Sequence, residues 1–217
     1  MSEYGEIIAA IISAVGTIAA AFIAVLFAGK IVKEESRSYF HSYSDKTHNV
    51  ADIIEKAQSD IFIVVIVGDR FLNKYKKKLE KCLSSGIEVR YLLANKKGFH
   101  EQEDYMSGAD VDEKVYMNVL KKLNKLKKKY PDLLDVRAFH TFLTASYIGI
   151  DIWPPPPHST LPNSVIQIML YQYHVLAENS PITYLSPKAD KNHYTSTVDS
   201  IKAMWESAEE LLVSKSG

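Results

Sequence analysis

The sequence predicts an α/β protein in which one N-terminal transmembrane helix leads into a mixed-sheet domain with flanking helices. Three observations point there. Residues 7–29, IIAAIISAVGTIAAAFIAVLFAG, carry no charged side chain, and about 20 apolar residues of helix cross a bilayer's hydrocarbon core. Further on, DIFIVVIVGD and IEVRYLLAN are apolar runs rich in β-branched residues, separated by an amphipathic stretch, which is the order of a βαβ unit. Short strand candidates then follow one another closely, as antiparallel pairs do. The 217 residues leave room after the apolar run for one domain with a real core and not for two. The expected organisation is a membrane helix over 1–32, a linker over 33–44 and a cytoplasmic α/β domain over 45–217.

The apolar run reads as an uncleaved anchor. A secretory signal places Lys or Arg before a shorter apolar core, whereas Glu3 and Glu6 lead here. Lys30, Lys33 and Arg37 follow the run and no basic residue precedes it, so the N-terminus is expected outside and the domain in the cytoplasm. Gly16, Ala20, Ala24 and Ala28 recur every fourth residue, with Ser13, Thr17 and Ala21 beside them. Small residues at that spacing let helix backbones approach in lipid, so a homo-oligomer is expected.

Each element of the domain has its own signal. Val50, Ile53, Ile54 and Ala57 have helical spacing, in a helix starting near Asp45 and ending near Gln58. DIFIVVIVGD reads as a strand buried on both faces and closed by Gly68. In RFLNKYKKKLEKCLSSG, Phe71, Leu72, Tyr75, Leu79, Cys82 and Leu83 share one face, and Gly86 stops the helix. IEVRYLLAN is the next strand. The segment from Asn95 to Asp110 is a polar loop. A helix then carries Val115, Val119, Leu120, Leu123, Leu126 and Tyr130 on its buried side. DVRAFHTF, SYIGIDIW, SVIQIMLYQY and PITYLSP are strand candidates, and His193 to Leu212 is a final amphipathic helix. Parallel pairing is expected in the first half of the sheet and antiparallel pairing in the second.

Composition and motifs exclude much chemistry. Formal net charge is zero, and Cys82 is the only cysteine, which removes disulfides and cysteine-cluster metal sites. No histidine is followed two places on by lysine, and there is no H-E-x-x-H, G-x-S-x-G, P-loop or G-x-G-x-x-G. No enzyme activity, metal or cofactor is therefore expected. Lysine runs in KYKKKLEKC and KKLNKLKKKY default to solvated faces, with anionic lipid as the next reading. Without aromatic interleaving, nucleic acid is not expected as a partner.

Polar residues at strand ends remain. Ligands of open α/β sheets sit outside the carboxyl ends of the parallel strands. That selects Gly68, Asp69 and Arg70 after one strand, Asn95 and Lys96 after the next, and His140, Thr141 and Thr144 where a third turns. Amides at the start of the helix near Arg70 suit an anion. Tyr171 and Tyr173 alternate onto one face with Gln167 and Met169, and such a face can stack on a base. These ten residues are the expected ligand site.

The segment HNVADIIEKAQSDIFIVVIVGDRFLNKYKKKLEKCLSSGIEVRYLLAN resembles the opening half-domain of the phospholipase D-like superfamily, and the resemblance extends through VRAFHTFLTASYIGIDIW and SVIQIMLYQY. Active members carry H-x-K-x4-D there. With His140 at the histidine position, Phe142 stands at the lysine and Tyr147 at the aspartate position. The resemblance thus implies a phospholipase D-like fold without its catalytic set, in the manner of relatives that bind or sense. The layout also resembles small membrane effectors of bacterial anti-phage signalling, which implies cyclic-nucleotide sensing, a place in the cell inner membrane and its disruption. The expected function is a membrane-anchored effector whose domain binds a cyclic nucleotide or other anionic small molecule and controls assembly of the membrane helix. The alternatives are a membrane-tethered phosphodiesterase or nuclease centred on His140, and a scaffold that recruits a partner to the membrane.

Overall fold

The computed structural model describes residues 41–42, 50–95, 113–140, 143–153, 164–171, 180–189 and 191–211. The chain divides into two units, Met1–Tyr39 and Phe40–Gly217, and every described residue lies in the second. Residues 7–29 fall outside the description. Among the described residues no helix is long and apolar enough to cross a membrane.

The second unit is a mixed α/β structure. Its elements in chain order are β1 (His41–Ser42), α1 (Val50–Glu55), β2 (Asp60–Val65), α2 (Asp69–Ser84), β3 (Glu88–Ala94), α3 (Glu113–Lys129), β4 (Leu134–Phe139), β5 (Ala145–Ile150), β6 (Val165–Leu170), β7 (Pro181–Leu185), α4 (Lys191–Glu206) and β8 (Glu209–Glu210). The strands form one sheet in the order β1-β7-β6-β5-β2-β3-β4-β8. β2, β3 and β4 are parallel. β5, β6 and β7 continue the sheet antiparallel.

β2 is buried along its whole length, as its unbroken run of apolar residues requires of a strand covered on both faces. Register shows how. Ile63 pairs with Tyr91, and both neighbour the helices of one layer, where Tyr91 meets Phe71 of α2 at 6.3 Å. Phe62 points the other way, where Trp205 of α4 meets it edge-on at 5.3 Å. α2 and α3 are consecutive crossovers that advance in one direction across the sheet, which puts both on the same face.

α2 ends as its sequence demands. Gly86 has φ of 84°, a left-handed value that glycine adopts without a Cβ penalty. The amide of Ser85 bonds back to the Lys81 and Cys82 carbonyls. At the other end Gly68 has φ of 79° and its carbonyl accepts from the Leu72 amide at 2.9 Å.

Several boundaries differ from the sequence reading. α1, Val50–Glu55, ends three residues before Gln58, and the start expected near Asp45 lies outside the described residues. α4 begins at Lys191 and ends at Glu206, after which Glu209–Glu210 pair antiparallel with β4. No alternation over two acidic residues announces a strand, so β8 was invisible in the sequence; the open edge of β4 makes it. Likewise His41–Ser42 pair with β7, inside the segment read as linker.

Candidate functional site

The carboxyl ends of β2, β3, β4 and β6 and the amino end of β5 lie along one edge of the sheet, because β5 alone of these five strands runs in the opposite direction. Gly68, Asp69, Arg70, Asn95, His140, Thr144 and Tyr171 are all on that edge. Lys96, Thr141 and Tyr173 lie outside the described residues. From β6 to β4 is four inter-strand steps in the sheet order, or about 19 Å at the usual spacing. One small ligand cannot span it, so the candidates divide into three groups.

The central group surrounds the start of α2. The Asp69 carboxylate accepts from Lys122 of α3 at 2.7 Å and from Asn73 at 2.7 Å, while Lys122 also donates to Asn73 Oδ1 at 2.5 Å. This clasp ties α2 to α3 and occupies Asp69. Arg70 is exposed beside it. Gly68 is where backbone and ring meet: a Cβ there would collide with the Tyr91 hydroxyl and stand 2.8 Å from Val65 Cγ2. The Tyr91 hydroxyl donates to the Gly68 carbonyl at 3.5 Å, and burial pushes its pKa far up.

The second group is at the β4 side. The Asn95 amide bonds His140 Nδ1, and His140 Nε2 lies 3.0 Å from Glu209 Oε1. With the proton on Nε2, the ring accepts from Asn95 and donates to Glu209. Both nitrogens of His140 are thereby engaged by the protein. Glu209 had no signal in the sequence, since it reaches His140 only through the β8 pairing.

The third group is around Tyr171. Its amide donates to the Thr144 carbonyl at 2.9 Å. Its hydroxyl accepts from the Ile66 amide at 3.4 Å and bonds the Ser146 side chain. Burial raises its pKa to about 12, with those hydrogen bonds opposing. The hydroxyl of Tyr171 is therefore turned into the sheet, where it joins β6 to β2.

At the opposite edge sits a buried polar cluster that the sequence reading did not single out. Asp151 has φ of 57°, and its Oδ1 accepts from the Gln58 and Ser59 amides, both at 2.8 Å. Asp60 returns the arrangement, accepting from the amides of Ile152 at 3.2 Å and Trp153 at 3.1 Å. Each aspartate caps the turn that carries the other. Desolvation raises the Asp60 pKa, against hydrogen bonds from Ser59, Trp153 and Ile152 and the charge of Arg90. Counted back from Asp151, the H-x-K-x4-D spacing lands on Ser146 and Thr144, so that register also lacks histidine and lysine. No cluster of metal-ligating side chains occurs among the described residues.

No protein-family model matches the chain, and no curated protein does. Among solved structures it is similar to that of TrmBL2, an archaeal chromatin protein whose structure shows a novel mode of DNA binding, with a TM-score of 0.47 and 14% identity over 91% of this chain and 68% of that one. It is also similar to phosphatidylserine synthase from Haemophilus influenzae Rd KW20, with a TM-score of 0.49 and 12% identity over 75% of this chain. The chain spans about a third of the synthase, 36% of its length. One of these structures is an enzyme and the other a DNA-binding protein, so the likenesses do not divide catalysis from binding.

The comparison with the chromatin protein corrects one expectation, that nucleic acid is no partner. The physical ground for that exclusion was weak. It rested on zero net charge and missing aromatics, whereas phosphate contacts need only local lysines. Exposed Lys77, Lys81, Lys121, Lys125 and Lys128 on α2 and α3 supply them.

Proposed function

We propose that the protein is a single-pass membrane effector, N-terminus outside, whose cytoplasmic domain is a phospholipase D-like fold that has lost hydrolysis and binds an anionic small molecule at the carboxyl ends of β2 and β3. Ligand binding alters how the domains pair and hence how the helices of residues 7–29 assemble, with membrane disruption as the outcome. A cyclic dinucleotide, as in bacterial anti-phage signalling, is the ligand class proposed. The anchor rests on the uncharged run and the lysines after it. The fold assignment rests on the helix–strand–helix–strand order from residue 50 and its resemblance in sequence.

The observation that carries binding over chemistry is the engagement of both His140 nitrogens, by Asn95 and Glu209. The missing H-x-K supports the same reading. Arg70 is the cation that serves an anion there, supported by the first amides of α2.

Calorimetry on the full chain in detergent, with a panel of cyclic dinucleotides, tests this. A charge-assisted hydrogen bond contributes about 1.5–3 kcal/mol, so Arg70→Ala should weaken binding roughly 10- to 100-fold. Unchanged affinity in that variant would move the site away from α2. Phosphodiester hydrolysis that disappears in His140→Ala would overturn the non-enzymic reading in favour of a phosphodiesterase.

A further inference from the structure

α2 and α3 lie side by side on one face of the sheet, joined by the Lys122–Asp69 ion pair at 2.7 Å. Their outer faces match. In α3, Lys114, Lys121, Lys125 and Lys128 are all exposed, and at 100° per residue they fall within about 60° of one another. In α2, Arg70, Lys74, Lys77 and Lys81 are all exposed and fall within a similar arc of about 60°. Both stripes stand opposite the buried seams, which are Leu72, Tyr75, Leu79, Cys82 and Leu83 in α2 and Tyr116, Val119, Leu123 and Leu126 in α3. Two neighbouring rows of cations therefore face directly away from the sheet. The row on α3 is about 21 Å long at 1.5 Å per residue.

Little opposes this charge. Lys77, Lys81, Lys114, Lys121, Lys125 and Lys128 form no ion pair with a described residue, whereas Lys76, Lys78 and Lys122 at the flanks pair with Glu80, Glu55 and Asp69. Glu80 and Asp69 of α2 are thus answered from the flanks, and Lys77, Lys81, Lys114, Lys121, Lys125 and Lys128 keep the outer faces cationic. Met117 borders the α3 row and is 44% exposed, the one exposed large hydrophobic among the described residues. A flat, two-row basic face edged by an apolar side chain fits a surface of anionic headgroups better than a groove or a single phosphate.

We infer that the α2–α3 face docks the domain onto the anionic leaflet to which residues 7–29 tether it. This rests on the membrane anchoring proposed above, because the tether is what keeps the face beside lipid. Each lysine near an anionic surface strengthens association about fivefold, and salt screens the effect. Docking and release of this face would then set how freely neighbouring domains meet.

The test places a polarity-sensitive fluorophore at Asn118→Cys, between Lys114 and Lys121, in the full chain reconstituted into nanodiscs. Asp199→Cys, exposed on α4 across the sheet, serves as control. Discs containing phosphatidylglycerol should shift the Asn118 probe and not the Asp199 probe. Pure phosphatidylcholine discs should shift neither. High salt, or the triple substitution Lys121→Glu, Lys125→Glu, Lys128→Glu, should remove the shift while the chain still co-elutes with discs. Equal signals in the two lipids would overturn the inference, as would a shift given by duplex DNA and not by phosphatidylglycerol. A chain that fails to co-elute with discs contradicts the anchor instead. The probe mixed with phosphatidylglycerol vesicles then reads the face alone, a shift supporting it and none overturning it.

Discussion

Gly68 holds a left-handed backbone, with φ of 79°, directly under the Tyr91 hydroxyl. Alanine there meets both backbone strain and a collision, so Gly68→Ala should cost about 2–4 kcal/mol in urea unfolding. Tyr91→Phe removes the colliding oxygen and should recover part of that loss; full additivity would show that ring and turn do not touch. The Gly-Asp pair was legible in the sequence as a turn into a helix, but its dependence on a tyrosine in the next strand was not. Asp60 is a second such case. Its folded pKa lies above the ordinary value of 3.8, so the folded state holds this proton more tightly than the unfolded chain. Its contribution is complete below the unfolded pKa and is lost as pH rises through the folded one. Asp60→Asn should therefore flatten the fall in stability above about pH 4. An unchanged slope would assign it to other groups. Asp60 and Asp151 stand 91 positions apart, and neither shows in the sequence that it caps the other's turn.

Local pattern was enough for the elements that carry whole runs. β2 and β3 follow from their β-branched apolar residues, and α2 and α3 from one-sided apolar spacing. The edges were not legible, because β1 and β8 are two residues each and exist only through the strands they pair with. That failure hid Glu209, and with it the engagement of His140. The expected ligand site was correspondingly too wide: strand ends can be placed from sequence, but the sheet order that spreads them over about 19 Å cannot. In α4 the largest buried side chain is Trp205. Trp205 is 3% exposed, packs edge-on against Phe62 at 5.3 Å and lies 4.4 Å beneath the Arg137 guanidinium. Trp205→Ala should cost about 3–5 kcal/mol. It should also free β8, which follows α4 directly, so protease cleavage after residue 206 ought to rise. A variant with near-native stability would mean that α4 is peripheral to the core.

At the scale of the whole molecule, the proposed effector acts through what its domain is attached to. The proposed attachment is residues 7–29, whose Gly16–Ala20–Ala24–Ala28 row would bring helices together in the bilayer. In that proposal one edge of the mixed sheet seats the anion and the two lysine rows face lipid. None of this requires the proposed membrane helix to be more than a tether, and that separates an effector from a scaffold. The decisive measurement is dye entry into cells overexpressing the full chain, with membrane fractionation of the same cultures. Ala20→Leu or Ala24→Leu should stay in the membrane fraction and lose dye entry, because a larger side chain separates the packed backbones. Phe22→Leu, off the row, should behave as wild type. Full dye entry after residues 7–29 are replaced by polyleucine, or none from the wild-type chain, would contradict an assembling membrane helix.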